Sequence, residues 1–265
     1  MSKNPLLKKL SIGSWIQLAH PAIAEIMASA GFDWLAVDLE HSSIDLRETE
    51  ELIRVIDLKG VVPLVRLSSN NPEQIKRIMD AGAHGVIVPM VNSKEDAQAA
   101  VSAVKYPPIG QRSIGLARAQ GYGARFLEYF DWQRDHSLVV VQIEHINAVN
   151  NLESILSVIG VDAYIVGPYD LSGSLGIPGQ FEEPEFINAM QKIRAVSEDL
   201  GVPGGVHIVE PDLIQLSQRI KEGNKFIAYG VDTRIIDTAC RTALELVKDL
   251  RNADYNNIPD TERCN

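Results

Sequence analysis

One rhythm constrains this chain more than any other feature. Eight short apolar or β-branched runs, at 11–17, 34–40, 61–66, 85–91, 138–144, 163–167, 204–208 and 226–231, alternate with longer amphipathic stretches. The stretches at 21–30, 46–58, 72–81, 93–104, 148–158, 184–200, 211–222 and 234–250 read as helices. Alternation of this kind is expected of repeated βα units around a parallel sheet. Eight such units close into one (β/α)₈ barrel, which typically takes about 250 residues. The 265 residues therefore divide into a barrel over 1–251 and a polar tail over 252–265, with no linker between separate domains.

Local punctuation agrees. Proline stands near the first turn of several helices, where its missing N–H costs nothing. Glycine follows others, at Ala30-Gly31, Ala81-Gly82, Leu200-Gly201 and Glu222-Gly223, where a left-handed residue is wanted. Residues 105–134 break the rhythm. This stretch reads as a long loop carrying Tyr106-Pro107-Pro108, four glycines and the positive charge of Arg112, Arg118 and Arg125. A loop of that length in an enzyme usually serves function.

A formal charge of −10 argues against binding to nucleic acid, which needs clustered Lys and Arg to displace counterions. The chain shows no run of about 18 apolar residues, so a cytoplasmic protein without a membrane partner is expected. Cys240 and Cys264 form no CxxC or Cys/His cluster, which supports neither a disulfide framework nor a thiolate metal site.

Side chains of a parallel barrel alternate between interior and helix layer, and catalytic groups sit at the C-terminal ends of the strands. In the second strand Leu35, Val37 and Leu39 share one parity, while Ala36, Asp38 and Glu40 share the other, with His41 immediately after. The fifth repeats the arrangement, with Gln142 and Glu144 on the parity of Val140. The third ends in Arg66 on the side of Val62 and Leu64, and Asp170 lies just beyond the sixth. Taken singly, Asp38 or Asp170 reads equally well as a helix cap or an ion-pair partner. Their coincidence with acids and an arginine from other strands points to a site at one mouth. Glu40 is expected to act on the site or to buttress His41 or Arg66. His41 reads as a surface histidine or as a general base, its tautomer fixed by Asp38 three residues earlier. The remaining histidines are scattered, and of them His207 is kept as a neighbour of the site.

A barrel lyase stabilises a carbanion with a lysine Schiff base or with a divalent metal. Lys59 and Lys225 precede strands, Lys76, Lys94, Lys192, Lys221 and Lys248 fall on helices, Lys105 opens the long loop, and Lys3, Lys8 and Lys9 precede the barrel. No lysine ends a strand, which favours the metal. With Glu144 and Asp170 as oxygen donors, a hard cation such as Mg²⁺ or Mn²⁺ is expected, Co²⁺ being a further option. A 2-oxo acid would fill two coordination positions, and Arg66 would neutralise the enolate.

Several segments resemble the metal-dependent pyruvate aldolases of the HpcH/HpaI family: AGFDWLAVDLEHS at 30–42, PLVRL at 63–67, GAHGVIVPMV at 82–91, YPPIGQRSIG at 106–115, VQIE at 141–144, GPYDLSGSLG at 167–176 and YGVDT at 229–233. The resemblance implies a barrel of the phosphoenolpyruvate/pyruvate type and reversible cleavage of a 4-hydroxy-2-oxo acid to pyruvate and an aldehyde through a metal-stabilised enolate. It also implies Glu144 and Asp170 as metal ligands, Arg66 holding the pyruvate moiety, and His41 paired with Asp38 as base. Gln142 and Trp15 would line the site, and the backbone at Tyr169 and Asp170 would receive the carboxylate. A hexamer built from dimers that exchange the eighth helix is implied as well. Ser113, Tyr169 and His145 depart from the family pattern and are expected to bear on the aldehyde pocket. Rival readings are an acyl-CoA lyase or a phosphoenolpyruvate-utilising enzyme of the same superfamily, and a catalytically silent barrel serving as metabolite sensor or scaffold.

Overall fold

In the computed structural model, which describes residues 4–257, helix starts fall where side chains can satisfy the free amides of a first turn. Asp45 with Glu48, and Ser93 with Asp96, form reciprocal capping boxes, while Asn71 and Asp212 each accept two first-turn N–H groups. The units run β1 (Ser11–Ile16), α1 (Pro21–Ser29), β2 (Trp34–Asp38), α2 (Leu46–Leu58), β3 (Val62–Arg66), α3 (Pro72–Ala81), β4 (Gly85–Val88) and α4 (Lys94–Val104). They continue with α5 (Phe126–His136), β5 (Leu138–Ile143), α6 (Ile146–Asn150), α7 (Leu152–Leu156), β6 (Ala163–Val166) and α8 (Pro168–Ser174). The chain then forms α9 (Pro184–Leu200), β7 (Gly204–Ile208), α10 (Leu213–Lys221), β8 (Phe226–Val231) and α11 (Asp232–Asn257). All neighbouring strands pair in parallel, and β8 returns to β1, closing the barrel.

Strand parity divides the core in two. Leu35, Val37, Val65, Val86, Val139, Val141 and Ile143 join the layer between strands and helices. Trp15, Trp34, Ala36, Leu64, Ile87, Val140, Ile165 and Phe226 fill the interior. Trp34 stacks on Phe226 with ring centroids 4.5 Å apart, and Trp15 meets Trp34 edge-on at 6.2 Å. These rings fit because glycines leave room. A Cβ on Gly13 would lie 2.0 Å from the Trp34 ring, and one on Gly205 1.9 Å from the Phe226 carbonyl oxygen. A short 3₁₀ turn at Pro5–Leu7 closes the N-terminal end of the barrel with Leu6.

The structure departs from the sequence reading where chain direction, not burial, decides. Strands one, two, four, five and six end one to three residues early, so Gln17, Glu40, Glu144 and Gly167 lie in the turns above the barrel. Met90 adopts a left-handed φ of 53° just past β4. The stretch 105–134 is not a loop throughout, since it contains a 3₁₀ segment at Arg118–Gly123 and the helix α5. Its buried stripe is aromatic and polar, Tyr129 and Gln133, so the aliphatic period that marks other helices is missing. As an α-to-β connection it lies at the N-terminal face, opposite the mouth. Arg112 is buried there with its guanidinium carbon 4.0 Å over the Tyr106 ring, and Arg118 pairs with Asp57 at 2.7 Å. Those two arginines hold the insertion down and do not charge the mouth.

The short helix α8 has no mark in the sequence pattern, two helices, α6 and α7, stand in place of the one expected at 148–158, and α11 runs to Asn257, into the polar segment after 251. Cys240 is exposed, and Cys264 lies outside the described residues. Among the described residues no helix is long and apolar enough to cross a membrane.

Because the Trp34 ring occupies the space beside Gly13, Gly13→Ala is expected to lower unfolding free energy by about 3 kcal/mol through overpacking. Gly31→Ala meets no neighbouring atom. It is expected to lose about 1–2 kcal/mol from its left-handed backbone alone. Urea denaturation of the two variants checks the order.

Candidate active site

Buried apolar neighbours force the polar residues at the mouth to satisfy one another. Asp38 closes β2 with a fully buried side chain and receives a two-pronged pair from Arg66 at the end of β3, Nε to Oδ1 at 2.8 Å and Nη2 to Oδ2 at 2.7 Å. Registry makes this possible, since Asp38 and Arg66 are paired residues of adjacent strands. The Gln17 side chain donates to Oδ2 at 2.8 Å, and the backbone N–H groups of Glu40 and His41 donate to Oδ1. Burial alone would raise the proton affinity of Asp38, but the Arg66 charge and these hydrogen bonds prevail and hold its carboxyl below the usual range. Trp15 forms the floor, its ring 4.4 Å beneath the guanidinium carbon of Arg66.

Asp38 therefore does not pair with the imidazole of His41. That expectation is corrected: the carboxylate reaches only the backbone N–H of His41 and is otherwise committed to Arg66 and Gln17, because a fork of two charge-assisted bonds outcompetes a single imidazole contact. The His41 ring is more than half exposed and faces Glu40, Nε2 to Oε2 at 3.9 Å. Glu40 also stands 3.3 Å from Arg66 Nη1, so it buttresses both. Burial, with the negative charges of Asp38 and Asp170, raises the Glu40 carboxyl against the opposing pull of Arg66.

Across the mouth, Glu144 is buried and oriented by two donors. The Met90 N–H gives Oε1 a 2.7 Å hydrogen bond, which the left-handed turn at Met90 aims inward, and the Gln142 amide donates to Oε2. Gly167 permits this closeness, since a Cβ there would lie 2.8 Å from Glu144 Oε2. Burial, reinforced by Glu40 and Asp170 and opposed by the Met90 N–H, pushes Glu144 up to about 7. Asp170, in the first turn of α8, is exposed, and its charge reaches both Glu40 and Glu144.

Among the described residues no three acid, histidine or cysteine side chains converge tightly enough to hold an ion by themselves. The chemistry of the mouth still fits a divalent cation. Arg66 is committed to Asp38, which leaves Glu40, Glu144 and Asp170 without a full counter-charge, and Oε1 of Gln142 and Oε2 of Glu40 are buried acceptors without a hydrogen-bond donor. Two carboxylates with open positions for water and substrate suit a hard cation.

The remaining expected residues separate. Tyr169 is exposed and rests edge-on against Phe181 at 5.2 Å, above the site. His145 caps α6 through Nδ1, and Ser113 is exposed in the insertion at the opposite face. Lys105 is buried there too, its Nζ donating to the Ser137 carbonyl at 2.7 Å, so no lysine reaches the mouth among the described residues. A cavity of about 1190 Å³ also opens at that far end, lined by Lys105, Arg134 and Tyr164, and contains none of the mouth residues. Sequence reading missed Gln17, Met90 and Gly167 as parts of the site. Met90 acts through its backbone and Gly167 through an absent side chain, so composition carried no signal for either, while Gln17 was legible as an inward polar residue at the end of the first run.

The fold and this mouth define a (β/α)₈-barrel enzyme with its acidic site at the C-terminal ends of the strands. The chain belongs to the HpcH/HpaI aldolase/citrate lyase family, whose sequence profile matches residues 11–239. It is a carbon–carbon lyase. It is 38% identical over 229 residues to a hydroxypyruvate/pyruvate aldolase of Sagittula stellata, covering 86% of this chain and 89% of that protein. It is 40% identical over 232 residues to a 4-hydroxy-2-oxo-heptane-1,7-dioate aldolase of Salmonella paratyphi C, covering 85% of each. A solved family member from Burkholderia cenocepacia superposes with a TM-score of 0.86 at 31% identity, covering 92% of this chain and 97% of that one.

If the Asp38–Arg66 pair organises the mouth, Asp38→Ala should destabilise the fold by about 3–5 kcal/mol by stranding a buried guanidinium. The double variant Asp38→Ala/Arg66→Met should lose less than the single one, because no charge is left unpaired. Equal or greater loss in the double variant, read by urea denaturation, would show that the pair contributes net stability of its own.

Proposed function

We propose that the protein is a divalent-metal-dependent aldolase that cleaves a 4-hydroxy-2-oxo acid reversibly to pyruvate and an aldehyde. The observation that carries this reading is the buried Glu144 carboxylate, held by Met90 and Gln142 within reach of the charges of Glu40 and Asp170. Relatives named as aldolases of pyruvate and longer 2-oxo acids support it. Mg²⁺, Mn²⁺ or Co²⁺ would be held by Glu144 and Asp170, and would supply a Lewis acid toward the keto oxygen of the 2-oxo acid.

The chain's own residues supply the remainder. Arg66, immobilised by Asp38 and bordered by Glu40 at Nη1, neutralises charge developing on the pyruvate half as the C3–C4 bond breaks. Trp15 and Gln142 line the pyruvate pocket, and the first-turn backbone at Tyr169 and Asp170, whose N–H groups lack intrahelical acceptors, receives its carboxylate. His41 takes the proton of the 4-hydroxyl, with Glu40 as its neighbouring carboxylate and Asp38 acting on Arg66. The protein works in the cytoplasm as a homo-oligomer, a hexamer in which α11 is exchanged between copies. After its contacts with β1 and β8, α11 carries exposed Ile236 and Leu244, and α10 leaves Leu213 and Ile214 exposed, as faces awaiting a partner would.

Metal binding should follow the protonation of Glu144. Its proton must leave before the carboxylate can ligate, so with a value near 7 the apparent Mn²⁺ affinity is expected to be level above that pH and to fall about tenfold for each unit below it. Calorimetric titration at pH 6 and pH 8 measures this. Glu144→Ala and Asp170→Ala should each weaken binding, and unchanged affinity in both would place the cation elsewhere.

His41 and Arg66 act at different moments, so their losses should differ in kind. His41→Ala should slow aldol cleavage by roughly 10²–10⁴-fold while leaving pyruvate binding largely intact. Arg66→Lys, which keeps a charge beside Asp38 but loses the fork, should slow both cleavage and exchange of the pyruvate methyl protons with solvent. Near-normal turnover in His41→Ala across the pH range would return His41 to the surface histidines.

A further inference from the structure

The Asp38 carboxylate is held differently at its two oxygens. Oδ1 takes Nε of Arg66 and the backbone N–H groups of Glu40 and His41, whereas Oδ2 takes Nη2 of Arg66 and the side-chain amide of Gln17. Backbone fixes the first oxygen, and the Gln17 side chain fixes the second. Facing an ionised carboxylate, that amide must present its nitrogen. Its Oε1 then points to α11, where the Thr233 hydroxyl donates to it at 3.3 Å. The main chain at Gln17 is tied to the same helix. Asp232, 1% exposed, accepts the Gln17 N–H on both oxygens, at 3.1 and 3.0 Å, and the Leu18 N–H on Oδ2 at 2.9 Å. Gln17 is the first residue past β1 and Asp232 the first of α11, so elements from opposite ends of the chain meet at this one side chain.

We propose that Gln17, oriented by Asp232 and Thr233 at the start of α11, is a positioning residue that locks Asp38 Oδ2 and so aims the Arg66 guanidinium at the pyruvate half of the substrate. The inference rests on the aldolase reading above. Arg66 stands between two carboxylates, with Asp38 at 2.7 and 2.8 Å and Glu40 at 3.3 Å from Nη1. The last torsion of an aspartate side chain is soft. A carboxylate anchored at one oxygen alone turns about it, and the guanidinium either follows or shifts toward Glu40. Trp15 beneath does not prevent this, because an aromatic face holds a cation above it without fixing its in-plane direction. The Gln17 amide supplies the missing restraint, and the Thr233 hydroxyl keeps that amide from turning over.

Exchange of the pyruvate methyl protons with solvent in the Mn²⁺-loaded protein tests this, since it passes through the enolate and needs no aldehyde. Gln17→Met keeps the length of the side chain and removes both amide contacts. It should lower kcat for exchange about tenfold or more, as expected for a lost hydrogen bond to a charged group, with KM for pyruvate and Mn²⁺ affinity within about twofold of the wild type. Thr233→Val should lower kcat about threefold, while Thr233→Ser, which keeps the hydroxyl, should match the wild type. In Arg66→Lys, Gln17→Met should cost nothing further, because the fork that it aims is gone and the two losses cannot multiply. Thr233 does not touch Asp38, so its pair of variants decides the matter even if Gln17→Met fails to fold. Near-normal exchange in Gln17→Met, losses that multiply with Arg66→Lys, equal losses in both Thr233 variants, or Mn²⁺ affinity that falls together with exchange would each overturn the proposal in favour of simple packing. A wild type that binds Mn²⁺ and pyruvate yet exchanges no methyl protons overturns the aldolase reading, and this proposal with it.

Discussion

The mouth of this barrel is organised by the fork between Asp38 and Arg66. A guanidinium buried among Trp15 and the strand ends is tolerable only with a carboxylate matched to both of its donors, and registry between β2 and β3 supplies one. Much else is arranged around that pair. Gln17 is drawn in to donate to Asp38, and Gln17 and Leu18 in turn give their backbone N–H groups to Asp232 at the start of α11. The closure between β8 and β1 is thereby connected to the site. Residues after β2 turn back over Asp38, which fixes Glu40 and places His41 at the rim.

With Arg66 committed, the opposite wall is left electrostatically incomplete. Burial and the charge of Asp170 raise the proton affinity of Glu40 and of Glu144, and the strongest effect falls on Glu144, the more enclosed of the two. The chemistry of such a site fits a cation, because hydrogen bonds from Met90 and Gln142 orient the Glu144 carboxylate without neutralising it. Cleaving a carbon–carbon bond requires charge to be stabilised as it forms, and preorganised groups do that without rearrangement. Rigidity here comes from a left-handed Met90 and an unsubstituted Gly167, both fixed by backbone geometry.

The opposite end of the barrel serves stability. Lys105 and Arg112 are buried cations in the connection between α4 and β5, and both are engaged locally: Lys105 by carbonyls around Ser137, Arg112 by the Tyr106 and Tyr129 rings and by Asp80 at 3.6 Å. Burial lowers the proton affinity of Lys105. A buried lysine with a lowered value resembles a Schiff-base nucleophile in a barrel lyase. Its position at the N-terminal face, away from the acidic mouth, separates it from that chemistry.

Period alone fixed much of the barrel. Alternation of Leu35, Val37 and Leu39 with Ala36, Asp38 and Glu40 put the right side chains inside, because a strand has two faces and mixing them would bury charge against aliphatic helices. The same parity brought Asp38, Arg66, Gln142 and Glu144 to one mouth, and the absence of lysine from strand ends was equally legible. Tertiary structure decided who pairs with whom. Asp38 lies three residues from His41, but Arg66 on the neighbouring strand offers two aligned donors, so the through-space partner took the carboxylate from the sequence neighbour. Met90 and Gly167 acquired their roles only when strands distant in sequence met across the barrel. The stretch 105–134 holds a helix whose buried residues, Tyr129 and Gln133, give no aliphatic period to read. Sequence carries the faces of elements, which are local and periodic; contacts between the ends of different strands depend on register and closure, which no single segment encodes.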